Sequence, residues 1–354
     1  MSLYSLVRPA LHLLEPETAH HLAILALRSG LVPRTTAADD PVLATRVFDL
    51  AFPNPIGLAA GFDKNAEIID AVLRLGFGFT EAGTVTPLPQ PGNAGKRLFR
   101  LDEDEAVINR FGFNSEGLAP YVERLRARKR SGIVGANVGK NRNTVDGAAD
   151  YVKGIEAVCG LADYLVVNLS SPNTPGLRGL QARAPIQDLL ARVMDARRRS
   201  LPDAQRLPPL LAKVGPDLDD DALRDIAEVV TQAGIDGLIV GNTTIERPPT
   251  LRSRDRNAEG GLSGKPLLAH ATACLSKMYA LTQGRIPIIG CGGVTSGADA
   301  YAKIRAGASL VQFYSAIVFH GPTLVVDIKR ELAALLRADG FASVADAVGA
   351  DHRR

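Results

Sequence analysis

Eight short apolar runs are spaced along this chain, each ending in polar residues, and a helix-like stretch follows most of them. They occupy residues 55–60, 79–84, 133–138, 164–168, 210–214, 237–242, 286–290 and 310–314. Runs of this length bounded by Gly, Asn, Thr or Lys suit strands buried on both faces. Helical periodicity appears between them, for example over 66–75, 222–233 and 298–306. Serial β/α units of this number predict an α/β fold, a (β/α)8 TIM barrel in preference to an open sheet.

The first thirty residues follow a different pattern. Leu3, Leu6, Val7, Ala10, Leu11 and Leu14 fall on one helical face, with Ser5, Arg8, His12 and Glu15 on the other. After Glu15–Pro16 a second segment carries Leu22, Ala23, Ile24, Leu25, Ala26 and Leu27 and stops at Gly30. Such a hairpin has more apolar surface than it can bury alone. It can dock on the main domain, or it can dip into a membrane interface, where Arg8, His20, His21 and Arg28 suit anionic headgroups. No stretch reaches the roughly 18–20 apolar residues of a spanning helix. The charges at Arg8, His12 and Glu15, with no small-residue cleavage site after them, also argue against a secretory signal.

Composition narrows the class only a little. The 354 residues are 46% hydrophobic and 22% charged, as in a globular protein with a full core. The net charge of +3 is too small to imply a nucleic-acid partner, and part of it comes from the basic run at 124–130, expected as the solvated end of a helix. Cys159, Cys274 and Cys291 form no CxxC pair, so neither a disulfide framework nor a metal site is expected.

Candidate chemistry lies at the strand ends, where a barrel assembles its site. Those ends bear Lys64, Thr84, Asn137, Asn168 with Ser171, Lys213, Asn242 with Thr243, Gly292–Gly293, and Tyr314–Ser315. The fourth continues into Asn168-Leu169-Ser170-Ser171-Pro172-Asn173-Thr174-Pro175-Gly176, a loop whose prolines stiffen it and hold its amides and hydroxyls in fixed directions. The last two ends, with the flexible backbone expected of Gly260-Gly261-Leu262-Ser263-Gly264, suit a phosphate group. No GxGxxG fingerprint or P-loop occurs. A phosphate-tailed cofactor in a barrel mouth suggests FMN, with pyridoxal phosphate or a sugar phosphate as rivals.

Several long motifs are collinear with one family. They are Ala60-Gly61-Phe62-Asp63-Lys64, Gly83-Thr84-Val85-Thr86-Pro87 with Pro89-Gln90-Pro91-Gly92-Asn93, Asn109-Arg110-Phe111-Gly112-Phe113-Asn114, the Asn168 loop and the 260–264 segment. The chain resembles class 2 dihydroorotate dehydrogenases, the membrane-associated, quinone-using class, nearly end to end. The resemblance implies oxidation of (S)-dihydroorotate to orotate in pyrimidine (UMP) biosynthesis, with one non-covalent FMN and a membrane quinone as final electron acceptor. It divides the chain into a hairpin at 1–40, lining a quinone tunnel, and a catalytic barrel at 41–354. It implies peripheral membrane contact through residues 1–30, on the cytoplasmic face of the cell membrane if the source is bacterial.

Carried over by motif, the flavin contacts would be Ala60, Gly61, Phe62, Asp63, Lys64, Thr84, Asn137, Asn168, Lys213, Gly241, Gly264, Gly293, Tyr314 and Ser315. The substrate contacts would be Lys64, Asn109, Arg110, Phe111, Gly112, Phe113, Asn168, Asn173, Asn242 and Thr243. Amides that both donate and accept, together with a cation, suit a planar imide bearing a carboxylate. Lys213 would favour negative charge on the reduced flavin ring. Ser171 matches the family's base, where the soluble class 1 has Cys, and His20, Arg100 and Tyr314 match the inner end of the tunnel. A lone Ser is a weak base, so its neighbours, Thr174 among them, a water path and the field of the site must assist it. Gly241 departs from the family, which often has a hydroxyl residue there; a bond to the flavin phosphate would be missing. An aldolase-like barrel with a Schiff base at Lys213 or Lys64, a non-catalytic membrane-docking protein and a class 1 relative are the competing readings.

Overall fold

The structure, a computed structural model, describes residues 3–353 other than Pro33, Thr36 and Pro175, without the side chains of Leu3 and Arg178. The expectations placed on the Leu3 side chain and on Pro175 therefore lie outside the described residues.

The strands in chain order are β1 Thr45–Val47, β2 Leu50–Phe52, β3 Ile56–Leu58, β4 Phe79–Val85, β5 Leu98–Leu101, β6 Ala106–Asn109, β7 Ile133–Val138, β8 Tyr164–Asn168, β9 Leu210–Val214, β10 Gly237–Val240, β11 Gly261–Gly264, β12 Ile288–Cys291 and β13 Ala308–Phe313. The helices are α1 Leu3–Leu13, α2 Pro16–Ser29, α3 Ile69–Arg74, α4 Leu118–Ala127, α5 Gly147–Val158, α6 Arg183–Ser200, α7 Asp220–Ala233, α8 Leu268–Leu281, α9 Gly297–Arg305, α10 Ala316–His320, α11 Leu324–Ala338 and α12 Val344–Ala347.

Eight of the strands close a parallel barrel in the order β3-β4-β7-β8-β9-β10-β12-β13, one from each of the apolar runs. The fold is the expected (β/α)8 TIM barrel with two helices before it. Its outer core packs the helices against the strands, while Phe79, Tyr164, Val166, Leu211, Ile239, Ile289 and Leu310 fill the interior. The β1–β2 hairpin brings Phe52 against Phe79, ring centroids 5.3 Å apart, and so closes the end of the barrel opposite the polar strand ends.

Several details differ from the sequence reading. The helix expected from residue 66 begins at Ile69, because Ala66 takes a left-handed φ of 61° and Asp63 accepts hydrogen bonds from the N–H groups of Glu67 and Ile68. The basic run at 124–130 is not wholly solvated: α4 stops at Ala127, and Arg128 turns inward to donate to Asp163 at 2.8 Å. The 260–264 segment is no flexible loop. Residues 261–264 form β11, pairing antiparallel with β6, which pairs in turn with β5 to make a three-stranded sheet. Its glycines serve close packing, for a Cβ on Gly261 would overlap the Thr243 hydroxyl.

The helical pair also packs in an unforeseen way. Tyr4, Arg8 and His12 recur every four residues on one face of α1 and turn towards the protein. Tyr4 Oη donates to the Val318 carbonyl at 2.6 Å, Arg8 Nη1 to that of Phe319 at 3.1 Å, and His12 Nε2 lies 3.0 Å from the Val318 oxygen. These bonds satisfy carbonyls in the last turn of α10 that lack helical partners. Leu6, Leu13, Leu22, Leu25 and Leu31 stay exposed, while Ile24 and Leu27 are buried. Docking of the apolar face onto the domain is thus limited to part of α2.

Candidate functional site

One cavity of about 420 Å³ runs from the C-terminal ends of the barrel strands out to α1 and α2. Its inner wall includes Ala60, Gly61, Phe62, Lys64, Thr84, Asn168, Lys213, Gly264, Gly293, Tyr314 and Ser315. Asn109, Phe111, Gly112, Phe113, Ser171, Asn173, Asn242 and Thr243 line it as well, and His20 and Arg100 stand towards the helical pair. Residues from seven strand ends, the three-stranded sheet and the first two helices therefore meet in one space.

Four expected contact residues lie outside that wall. Asp63 spends both carboxylate oxygens on the backbone at Glu67 and Ile68, 2.8 and 2.9 Å away, and burial pushes its carboxyl up to about 6. Arg110 turns outward to the Lys96 carbonyl and Glu259. Asn137 is fully buried behind Thr84, and Gly241 packs against β12. At Gly241, with φ of 117°, a Cβ would overlap the Cys291 carbonyl oxygen. This backbone has no room for a side chain at 241.

Hydrogen bonds fix the direction of the amides at the strand ends. Asn242 Nδ2 donates to Ser170 Oγ at 2.6 Å, and Ser170 Oγ donates to Asn168 Oδ1 at 2.9 Å. Asn168 Nδ2 donates to Thr84 Oγ1 at 2.8 Å, Thr84 donates to Asn137 Oδ1 at 2.6 Å, and Asn137 Nδ2 donates to Glu81 Oε1 at 2.6 Å. Gln312 and Tyr164 also donate to Glu81, at 2.8 and 3.2 Å. Glu81 accepts from all three, so it fixes one end of the chain; the backbone N–H groups of Ser170 and Thr243 fix the other through Asn168 and Asn242. Ser170, Glu81, Gln312 and Tyr164 were missed in the sequence. A carboxylate within Phe79-Thr80-Glu81-Ala82 and an amide within Val311-Gln312-Phe313 were the available signals.

Ser171 is buried, and its Oγ accepts from the Asn173 N–H at 3.3 Å. Among the described residues it bonds no imidazole or carboxylate, and the buried Thr174 hydroxyl three residues further on has no partner. Lys64 sits 4.1 Å above the Phe111 ring, and burial brings its ammonium down to about 8. Burial, then the nearby Lys64 and His21, lowers His20 to about 3, so its imidazole is neutral at ordinary pH. His20 packs edge-on to Phe62, which packs edge-on to Tyr314, with centroids 5.1 and 5.4 Å apart.

The loop after β6 has a defined polarity. The carbonyls of Arg110, Phe111, Gly112 and Phe113 accept from Asn93 Nδ2, Asn93 N and Gln90 Nε2, the last serving both Gly112 and Phe113, at 2.8, 2.9, 3.2 and 2.8 Å. These peptides are trans, so each N–H points opposite to its carbonyl. Gln90 and Asn93 are outside the wall, which leaves the N–H groups of Phe111, Gly112, Phe113 and Asn114 on the cavity side. They have no acceptor among the described residues. Gly112 and Phe113, at φ of 69° and 55°, bend the backbone into a concavity of the kind that holds anions.

The bare backbone at Gly264, Gly292 and Gly293, beside the first turn of α8, fits a phosphate. The amides of Asn168 and Asn242, with buried Lys213, fit the polar edge of a planar heterocycle. The residues present therefore match a flavin mononucleotide.

Comparison with known proteins agrees with this geometry. The family model described as Dihydroorotate dehydrogenase matches residues 42–336. The chain is 64% identical to "Dihydroorotate dehydrogenase (quinone)" of Xanthobacter autotrophicus, over the full length of both. It is 53% identical to the mitochondrial "Dihydroorotate dehydrogenase (quinone)" of Mus musculus, over 98% of this chain and 89% of that one. A ligand-free DHODH structure from Eimeria tenella superposes with a TM-score of 0.91 at 44% identity, covering 96% of this chain and 100% of the other. With its barrel, its cavity and relatives matched over most or all of their length, the chain belongs to the dihydroorotate dehydrogenase family, in the quinone-dependent class 2.

Proposed function

We propose that this protein oxidises (S)-dihydroorotate to orotate in pyrimidine biosynthesis, with FMN bound at the barrel mouth and quinone as final electron acceptor. The observation that supports it most is a single cavity joining an amide-rich, cationic inner wall to an apolar outer wall made by α1 and α2. FMN, when bound, supplies the acceptor for the substrate's hydride and the carrier of electrons to quinone. Gly264, Gly293 and Ser315 hold its phosphate end, and Ala60, Lys64, Thr84, Asn168 and Lys213 surround its ring. Lys213 is buried, so its charge acts through little solvent screening.

The substrate's carboxylate lies against the inward N–H groups of the Phe111–Asn114 turn and the Lys64 ammonium. Asn109, Asn173 and Asn242 meet its imide. The directed chain through Asn168 and Asn242 fixes which edge of each amide donates, so the substrate binds in one orientation. Ser171 takes the ring proton, and the Thr174 hydroxyl, which has no partner among the described residues, assists its release. Quinone enters between α1 and α2 and meets His20, Arg100 and Tyr314. The division at residue 40, the FMN and substrate contacts and the peripheral membrane contact of residues 1–30 are all parts of this reading.

Ser171→Ala tests it. Flavin reduction by dihydroorotate, followed by stopped-flow absorbance, should slow by about 10²–10⁴-fold, the usual worth of a general base, while FMN stays bound. Unchanged reduction kinetics would remove Ser171 from the role.

A further inference from the structure

The Pro89–Asn93 motif has no place in the chemistry above, although its side chains are tied to the loop that lines the cavity. Asn93 Nδ2 takes the Arg110 carbonyl, and Gln90 Nε2 spans those of Gly112 and Phe113. Both side chains are anchored from behind. Gln90 Oε1 accepts from Asn141 Nδ2 at 2.9 Å and from the Arg142 N–H at 3.0 Å, and Asn93 Oδ1 accepts from Arg142 Nη1 at 2.9 Å. Each amide is thus fixed with its NH2 towards the 110–113 loop and its oxygen towards the loop after β7. A backbone bridge between Gln90 and Ser115 closes the other side. Space is tight as well: a Cβ on Gly92 would overlap the Phe111 carbonyl, and one on Gly112 would press on the Asn93 amide.

We propose that Gln90 and Asn93 are positioning residues which, by drawing four successive carbonyls outward, aim the backbone N–H groups of Phe111–Asn114 at the substrate's carboxylate. The inference rests on the reading of the cavity as a dihydroorotate site. Neither side chain touches the substrate. Without their side chains the carbonyls of Arg110, Gly112 and Phe113 lose these anchors, and a carbonyl facing the cavity would repel an anion where an N–H attracts one. The effect of losing the Gln90 amide is confined to ligands that carry the carboxylate; Asn93 Nδ2 also donates to the Asn173 carbonyl at 3.4 Å, which makes Gln90→Met the cleaner variant.

The FMN-loaded variants Gln90→Met and Asn93→Leu test this, with orotate and its methyl ester as probes. Orotate affinity should fall at least ten-fold and the KM for dihydroorotate should rise in step. Flavin reduction at saturating substrate should stay within three-fold of the parent, and affinity for the ester should change less than three-fold. Equal weakening of acid and ester, or no weakening of either, overturns the positioning role. If the variants do not fold, hydrogen exchange in the parent decides. Orotate should slow exchange of the 111–114 amides at least ten-fold and the ester should not; equal protection by both overturns the proposal. A parent that binds neither probe overturns the proposed function and this role together, whereas a parent that binds orotate no better than the variants overturns the role alone.

Discussion

Lys64 and His20 face the same cavity, and burial has the same effect on both: it disfavours the charged form. Their different ordinary values send them to opposite states. His20, brought down to about 3, is neutral wherever the protein works, and it belongs with Phe62 and Tyr314 as an apolar surface. Lys64, brought down to about 8, keeps its proton below that value and loses it above. An anionic ligand held by that ammonium should therefore bind with constant affinity below about pH 8 and progressively more weakly above it. Lys64→Met should flatten this profile and lower orotate affinity at pH 7 by about ten-fold or more, the cost of removing a charge-assisted bond. Titration of the flavin absorbance with orotate across pH 6–10 measures both.

At the scale of elements, the barrel was legible because each strand states its own case: a short apolar run with a polar end. The β5–β6–β11 sheet was not. β11 pairs with β6 from far along the chain, so the ladder that makes a strand of Gly261–Gly264 leaves no local trace, and glycine-rich sequence reads as loop. The same limit applies to the site. Residues at strand ends could be named in advance, but Ser170 and Glu81 gain their meaning from Asn242 and Asn137, at the ends of other strands. That Asp63 and Arg110 turn away from the cavity depends on backbone groups and charges nearby, which a motif does not display.

The helical pair is attached in a way that permits its removal. Besides the bonds of α1 to α10, α2 is held by Arg97, whose Nε and Nη2 both donate to Glu17 at 2.6–3.1 Å and keep that carboxyl below its usual range. Among the described residues of the two helices, only Ile24 and Leu27 belong to the barrel core. A chain beginning at residue 41 should fold, bind FMN and be reduced by dihydroorotate, but lose turnover with quinone. Steady-state assays with a quinone and with a soluble dye as acceptor separate the two; full quinone turnover by the truncated chain would sink the tunnel assignment.

For the molecule as a whole, most of the exposed leucines (Leu6, Leu13, Leu14, Leu22, Leu25 and Leu31) lie in or beside the first two helices, with Leu88 and Leu281 elsewhere. No helix among the described residues is long and apolar enough to cross a membrane. An apolar surface with Arg8 and Arg28 near it fits shallow insertion beside anionic headgroups. The triple substitution Leu13→Ser, Leu22→Ser, Leu25→Ser should cut sedimentation with anionic phospholipid vesicles by at least ten-fold and leave flavin reduction by dihydroorotate unchanged. Vesicle binding equal to the parent's would exclude this surface as the point of contact.

The hydrogen bonds from Tyr4, Arg8 and His12 to the end of α10 set how this surface responds to its surroundings. A contact made by apolar burial weakens when lipid replaces water, since lipid welcomes the same side chains. Hydrogen bonds behave in the opposite sense, because a medium of low dielectric constant competes less for donors and acceptors. The mouth of the cavity should accordingly hold its shape more firmly at a lipid surface than in dilute buffer. Solvent itself then acts as a brace for the opening by which, in the function proposed above, quinone enters.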